Sequence, residues 1–193
     1  MELIKPMDLL VLMALAVMVV VGYIQGAPRR LFGLGAILFA LLVAAQIRGP
    51  LGTYLAEQWN QIAPAYSFMV AFGALFLGGA VALSIGIQVT YQPAPLIKRW
   101  PIADEILGGV LGFVEGVLIL IAIFLILDPY FTTARSPGSG EFGPLRFLSQ
   151  SLDGSLTAAI IRESLAPAFL AVFGAFFPAD VARTFAALLV AGR

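Results

Sequence analysis

Apolar positions along this chain fall into four long runs with few interruptions: Leu9–Ile24, Leu31–Ile47, Ser67–Val89 and Ile106–Leu127. None shows the alternation of a half-buried strand or the polar stripe of a surface helix. They are apolar all round, the pattern of helices that cross a bilayer. At ~1.5 Å per residue the fourth run is ~33 Å long, against a hydrocarbon core of ~30 Å. The first run is short, and Met7 and the flanking turn extend it. A cleaved signal peptide is the weaker reading there, because Glu2 and Asp8 dilute the positive start and no A-x-A site follows.

Polar connections set the expected topology. Runs one and two are joined through Gln25–Arg30, with Arg29 and Arg30, and runs three and four through a stretch with Lys98 and Arg99. The other side offers Lys5 and Arg48. The bias of basic residues places the first and third connections in the cytoplasm and both termini outside. Trp59 and Tyr66 outside, and Tyr91 and Trp100 inside, then fall where interfacial aromatics are expected. Leu51–Ile62 reads as a short amphipathic outer piece.

Beyond Asp128 the pattern changes. Residues 131–144 hold a Gly-, Pro- and Ser-rich stretch that reads as a flexible outer loop. In 145–193, Leu145, Leu148, Leu152, Leu156 and Ile160 recur near helical spacing. Leu165–Phe177 contains Pro167, is too short to span, and reads as an interfacial or re-entrant helix. A last helix carries Val181, Phe185, Leu188 and Leu189 on one face. This C-terminal region either lies on the outer face of the membrane or offers a docking surface to a partner. The expected architecture is an all-α membrane protein, with a four-transmembrane-helix bundle over residues 1–130 and amphipathic, interfacial C-terminal helices.

Composition narrows the function. The chain has 193 residues, 61% of them hydrophobic and 11% charged, with mean hydropathy +0.99. That leaves too little charge to cover a soluble domain. The zero net charge gives no sign of nucleic-acid binding. With neither Cys nor His, thiolate or imidazole metal sites, ordinary haem ligation and His-based triads are excluded. No cofactor is expected. Asp128, Glu141 and Asp153 could converge on the outer side, but nothing in their spacing requires it.

The sharpest single feature is Glu115, a lone carboxylate in the fourth run. Facing lipid would cost about 3 kcal/mol, so the group must be neutral, paired or turned toward protein. At 100° per residue it shares a face with Gly108, Leu111, Gly112, Ile119 and Ala122, opposite Ile106, Val110, Phe113, Val117, Leu120 and Phe124. By depth, Ser84 on the third run is its first expected partner, through a hydrogen bond to a neutral carboxyl. Three roles remain open: structural glue between helices, a proton or cation relay, or an ion pair with another chain's base. Small residues recur every fourth position at Gly108, Gly112 and Gly116, and at Ala74, Gly78, Ala82 and Gly86. Such ladders allow close backbone approach in lipid, and here they predict tight packing of the third span on the fourth.

Several of these residues resemble the colicin V production protein (CvpA) family of small inner-membrane proteins. The family opens its first span with an Asp, as Asp8 does here. It ends that span in an Arg-Gly-Phe-x-Arg-Glu-like turn, matched by Gly26 and Arg29, with departures at Gln25, Ala27 and Arg30. It enters its last span with Asp-Arg-x-Leu-Gly, here Asp104, Glu105, Ile106, Leu107 and Gly108. It then places a basic residue before Gly-Val-Leu, where this chain has Glu115. The resemblance covers roughly residues 8–130. It implies a four-span protein linked to colicin V production or export and to envelope maintenance, with no established chemistry.

Read from the residues themselves, Asp8 can cap the first helix, and Gly26 can leave it at positive φ with Pro28 as a stop. Arg29 and Arg30 can reach the headgroups, and Asp104 favours the dipole of the fourth helix. The leading functional expectation is a non-enzymatic inner-membrane interaction or scaffold protein, its partners being the bilayer and other membrane proteins or further copies. The alternative is a component of a channel or ion-coupled transporter that uses Glu115, for which Gly78–Gly79 is the one visible helix break.

Overall fold

The computed structural model describes residues 5–60, 62–90, 101–131, 141–179 and 181. The connection between the third and fourth runs with Tyr91, Lys98, Arg99 and Trp100, most of the 131–144 stretch, and the expected last helix beyond Val181 lie outside the described residues. Among those described there is no strand. The helices are α1 (Pro6–Gln25), α2 (Ala27–Gln58), α3 (Pro64–Thr90), α4 (Pro101–Phe131) and α5 (Gly143–Leu152), followed by a C-terminal helix, Leu156–Phe176.

Five of these are long and apolar enough to cross a membrane, one more than the four runs predict. The fifth is the 21-residue C-terminal helix. Most of the apolar run Leu165–Phe177, too short to span alone, forms its second half, with Pro167 inside it. The chain stays helical there by opening into a π turn over Ile161–Leu165 just before the proline. Proline lacks an N–H and its ring crowds the carbonyl four residues back, and the wider turn relieves both. α2 likewise runs on through Pro50 to Gln58, so the outer piece after Leu51 is the end of a 32-residue helix and not a separate element. α3 is unbroken through Gly78 and Gly79.

The turn between α1 and α2 is a single residue. Gly26 has φ +78°, which a side chain would strain, and a Cβ there would also lie 2.7 Å from an Asp104 carboxylate oxygen. Pro28 does not stop a helix but sits in the first turn of α2, where its missing N–H costs nothing.

α4 lies between α1 and α2, and α3 packs on α2. The glycine ladder of α4 meets α1, not α3. A Cβ on Gly112 would lie 2.3 Å from the Met18 carbonyl oxygen, and one on Gly22 would lie 2.3 Å from that of Gly108. Two backbones therefore touch along Gly22, Gly108 and Gly112, with Gly116 against Leu15. The α3 ladder does not join this seam. Ala74, Gly78, Ala82 and Gly86 are exposed, and nothing lies near Gly78 or Gly86. α3 instead buries Ser67, Met69, Phe72 and Phe76, and approaches Ala40 of α2 at Gly79.

The C-terminal helix touches three others at one end of the bundle. Its start is held by Asp8 of α1, its middle by Asp128 of α4, and its last turn by Gln46 of α2, whose amide donates to the Phe176 carbonyl at 2.8 Å. Asp8 and Gln46 lie ~27 Å and ~30 Å along their helices from Gly26 by helical rise. Both ends of a ~30 Å helix are thus at similar height.

Candidate functional site

Glu115 is buried, and its carboxylate pairs with the Arg30 guanidinium. This replaces the expected Ser84 hydrogen bond and turns the Arg30 side chain into the bundle, where it is only 6% exposed. Gly33 makes room: a Cβ there would stand 3.2 Å from Glu115 Oε1. Arg30 lies one turn into α2, and its side chain runs along the helix to meet α4. Two charges away from water at this depth are tolerable because each neutralises the other, and removing one strands its partner.

Ser84 is nevertheless close. It lines, with Glu115, Arg30, Arg29, Gln25 and Gln88, a cavity of about 250 Å³ between the helices near the α1–α2 turn. The Nε of Arg30 is buried and has no hydrogen-bond partner. Ser84 and Glu115 share this cavity without a bond between them among the described contacts. Asp104 is buried against Gly26, and its Oδ1 is also without a partner.

A second set of polar residues ties the opposite end. Asp8 accepts from Lys5 N at 3.2 Å, from Leu156 N at 3.2 Å, and from both the N–H (2.9 Å) and hydroxyl (2.8 Å) of Thr157. It caps its own helix and the start of the C-terminal helix together. Ser155 takes the next free donor, Ala158 N, at 3.0 Å. Three N–H groups that a helix start leaves unpaired are thus satisfied. Arg162 grips Asp128 with two bonds of 2.7 Å, reaches Asp153 at 2.6 Å, and lies over the Phe124 ring.

Tyr66, in the first turn of α3, does not face outward. It is buried edge-on to Tyr130 and accepts from Phe142 N at 2.8 Å. Tyr130 and Arg146 both donate to Glu141, whose carboxylate holds the Arg146 guanidinium above its usual pKa. Asp128 and Asp153 share Arg162 while Glu141 serves Arg146, so the three acids do not converge. Among the described residues no group of acids is placed to hold a metal.

The family model for the colicin V production protein matches residues 7–152. The chain belongs to the colicin V production protein family. The curated "Colicin V production protein homolog" of Haemophilus influenzae is 28% identical over 126 residues, covering 64% of this chain and 73% of that protein. No solved structure matches. Family membership and the apolar helices make this a membrane protein.

The match reaches the end of α5, further than the motifs suggested, and stops before the C-terminal helix. The family's motif residues now have places. Asp8 is the double cap, Gly26 and Asp104 touch at the α1–α2 turn, Gly108 lies in the α1–α4 seam, and Arg29 lines the cavity. Arg30 and Glu115, both departures from the motifs that the sequence resembles, face each other here.

Neither Arg30 as the partner of Glu115 nor the Asp128–Arg162 pair was found from sequence. Their signal was faint: each is a charge within or beside an apolar segment, and none has its partner nearby in sequence.

Proposed function

We propose that this protein is a non-enzymatic, multi-pass scaffold of the bacterial inner membrane that supports assembly, export or envelope maintenance. The observation that carries this reading is the exposed face of α3. Ala74, Gly78, Ala82 and Gly86 form an unoccupied ladder with open space above two of its glycines. In lipid such a stripe favours close approach of another helix, from another membrane protein or a second copy. Several of the bundle's own ionisable groups hold its helices together, as in Arg30–Glu115 and Arg162–Asp128.

In this reading α1 to α4 cross the membrane and the C-terminal helix lies across the outer end, with the chain termini outside and the α1–α2 turn in the cytoplasm. The contacts of the C-terminal helix with Asp8, Asp128 and Gln46 support that arrangement, as does the placing of basic residues. The test is purification in mild detergent at native expression, with Gly78→Leu beside the unaltered chain. A stoichiometric partner or second copy should be lost from the variant while its melting is unchanged. Recovery of both as unpartnered monomers would count against a scaffold.

The polar cavity beside Glu115 favours a second reading, an ion-coupled transporter component. Glu115→Gln that assembles normally yet abolishes a proton-coupled flux in liposomes would select it.

A further inference from the structure

The cavity near the α1–α2 turn has the chemistry of an anion site. Two guanidinium groups border it, Arg29 and Arg30, and one carboxylate, Glu115. Glu115 neutralises Arg30 through one terminal nitrogen, which leaves the charge of Arg29 uncompensated among the described residues. Arg30 is over nine-tenths buried, and its Nε remains a donor without an acceptor. Gln25, Ser84 and Gln88 add neutral amide and hydroxyl donors around the same space. An acceptor-rich oxyanion matches these donors.

The volume of about 250 Å³ is small for a drug-sized ligand but takes a phosphate and the first atoms esterified to it. Position adds a constraint. Arg30 lies ~6 Å along α2 from the α1–α2 turn by helical rise, and Gln88 is two residues from the end of α3, so the cavity opens toward that end of the bundle. In the orientation proposed above, on which this inference rests, that end is cytoplasmic, where basic pockets between spans bind anionic lipid headgroups. We propose that this cavity is a phosphate-ester binding site, with Arg29 as its charged donor beside the Arg30–Glu115 pair and Gln25, Ser84 and Gln88 orienting the ester. The same oxyanion chemistry could be presented by a phospholipid headgroup or by a free phosphate.

The experiment uses the full chain in mild detergent. Thermal stabilisation and native mass are measured with four additives: phosphatidylglycerol, phosphatidylethanolamine, diacylglycerol and inorganic phosphate. Because Arg30→Gln would break the buried pair, the binding variants are Arg29→Gln and Gln88→Leu, both at the partly open rim. Stabilisation by phosphatidylglycerol but not diacylglycerol, weakened roughly tenfold in Arg29→Gln, supports the site and assigns it to lipid. Stabilisation by inorganic phosphate at least as strong, with the same loss in the variant, supports it and assigns it to a free anion. Stabilisation by diacylglycerol equal to that by either phospholipid overturns it, because the phosphate then contributes nothing. So does binding that is unchanged in both variants.

Discussion

At the scale of single residues, one buried ion pair joins two helices. Arg30 and Glu115 are 85 positions apart and meet in the bundle interior. Glu115→Ala leaves Arg30 buried with no counter-charge, a loss expected to be about 3–5 kcal/mol. Thermal melting in detergent should show it as a large fall in midpoint. The exchanged double variant Arg30→Glu with Glu115→Arg should recover most of that loss, while either half alone should not. A double variant no better than the singles would mean that the contact is incidental. Glu115 was conspicuous in the sequence as the one carboxylate in an apolar run. Its partner was not, because depth along a helix gives a height and not a direction. Ser84 and Arg30 lie at accessible heights on different neighbours, and only the packing order chooses between them.

At the scale of elements, two ladders of identical spacing have opposite fates. Gly22, Gly108 and Gly112 form a backbone-to-backbone seam, so Gly112→Leu should prevent α1 from docking on α4. Loss of the folded monodisperse species in size-exclusion chromatography checks it. Gly78→Leu should leave the bundle's melting within about 0.5 kcal/mol, since open space receives the new side chain. A period of four marks a helix as able to pack closely, yet both ladders read the same in the sequence. The C-terminal helix shows a different limit. Leu165–Phe177 reads as too short to span, and the π turn that joins it to the helix before it has no sequence signature strong enough to foresee. Asp8→Ala removes the acceptor for Leu156 N and Thr157 N and should weaken the start of that helix by about 1–2 kcal/mol. Faster hydrogen exchange at residues 156–158, with α2 and α3 unchanged, would be its signature.

At the scale of the whole molecule, the ends of the bundle are built differently. One end is crossed by the C-terminal helix and fixed by Asp8, Arg162 and the Tyr66–Tyr130–Glu141–Arg146 set. The other holds the one-residue turn and the polar cavity. If the C-terminal helix lies across the first end, cysteines at Gly143 and Ala175 should be labelled by an impermeant reagent from the same side as one at Asn60. A chain without native cysteine makes this clean. Labelling of the Ala175 site only from the opposite side would make the helix a fifth span.

The sequence by itself determined that the chain is helical and membrane-embedded, where its main apolar segments lie, and that one carboxylate needed shelter. Those follow from length, hydrophobicity and the cost of a charge in hydrocarbon, which act residue by residue. Only the tertiary structure decided which helices are neighbours, which ladder is a seam and which is free, and which base shelters Glu115. In lipid the helices are apolar on every side, so burial does not single out a face. The choice falls to close backbone fit and to a few polar contacts between distant parts of the chain.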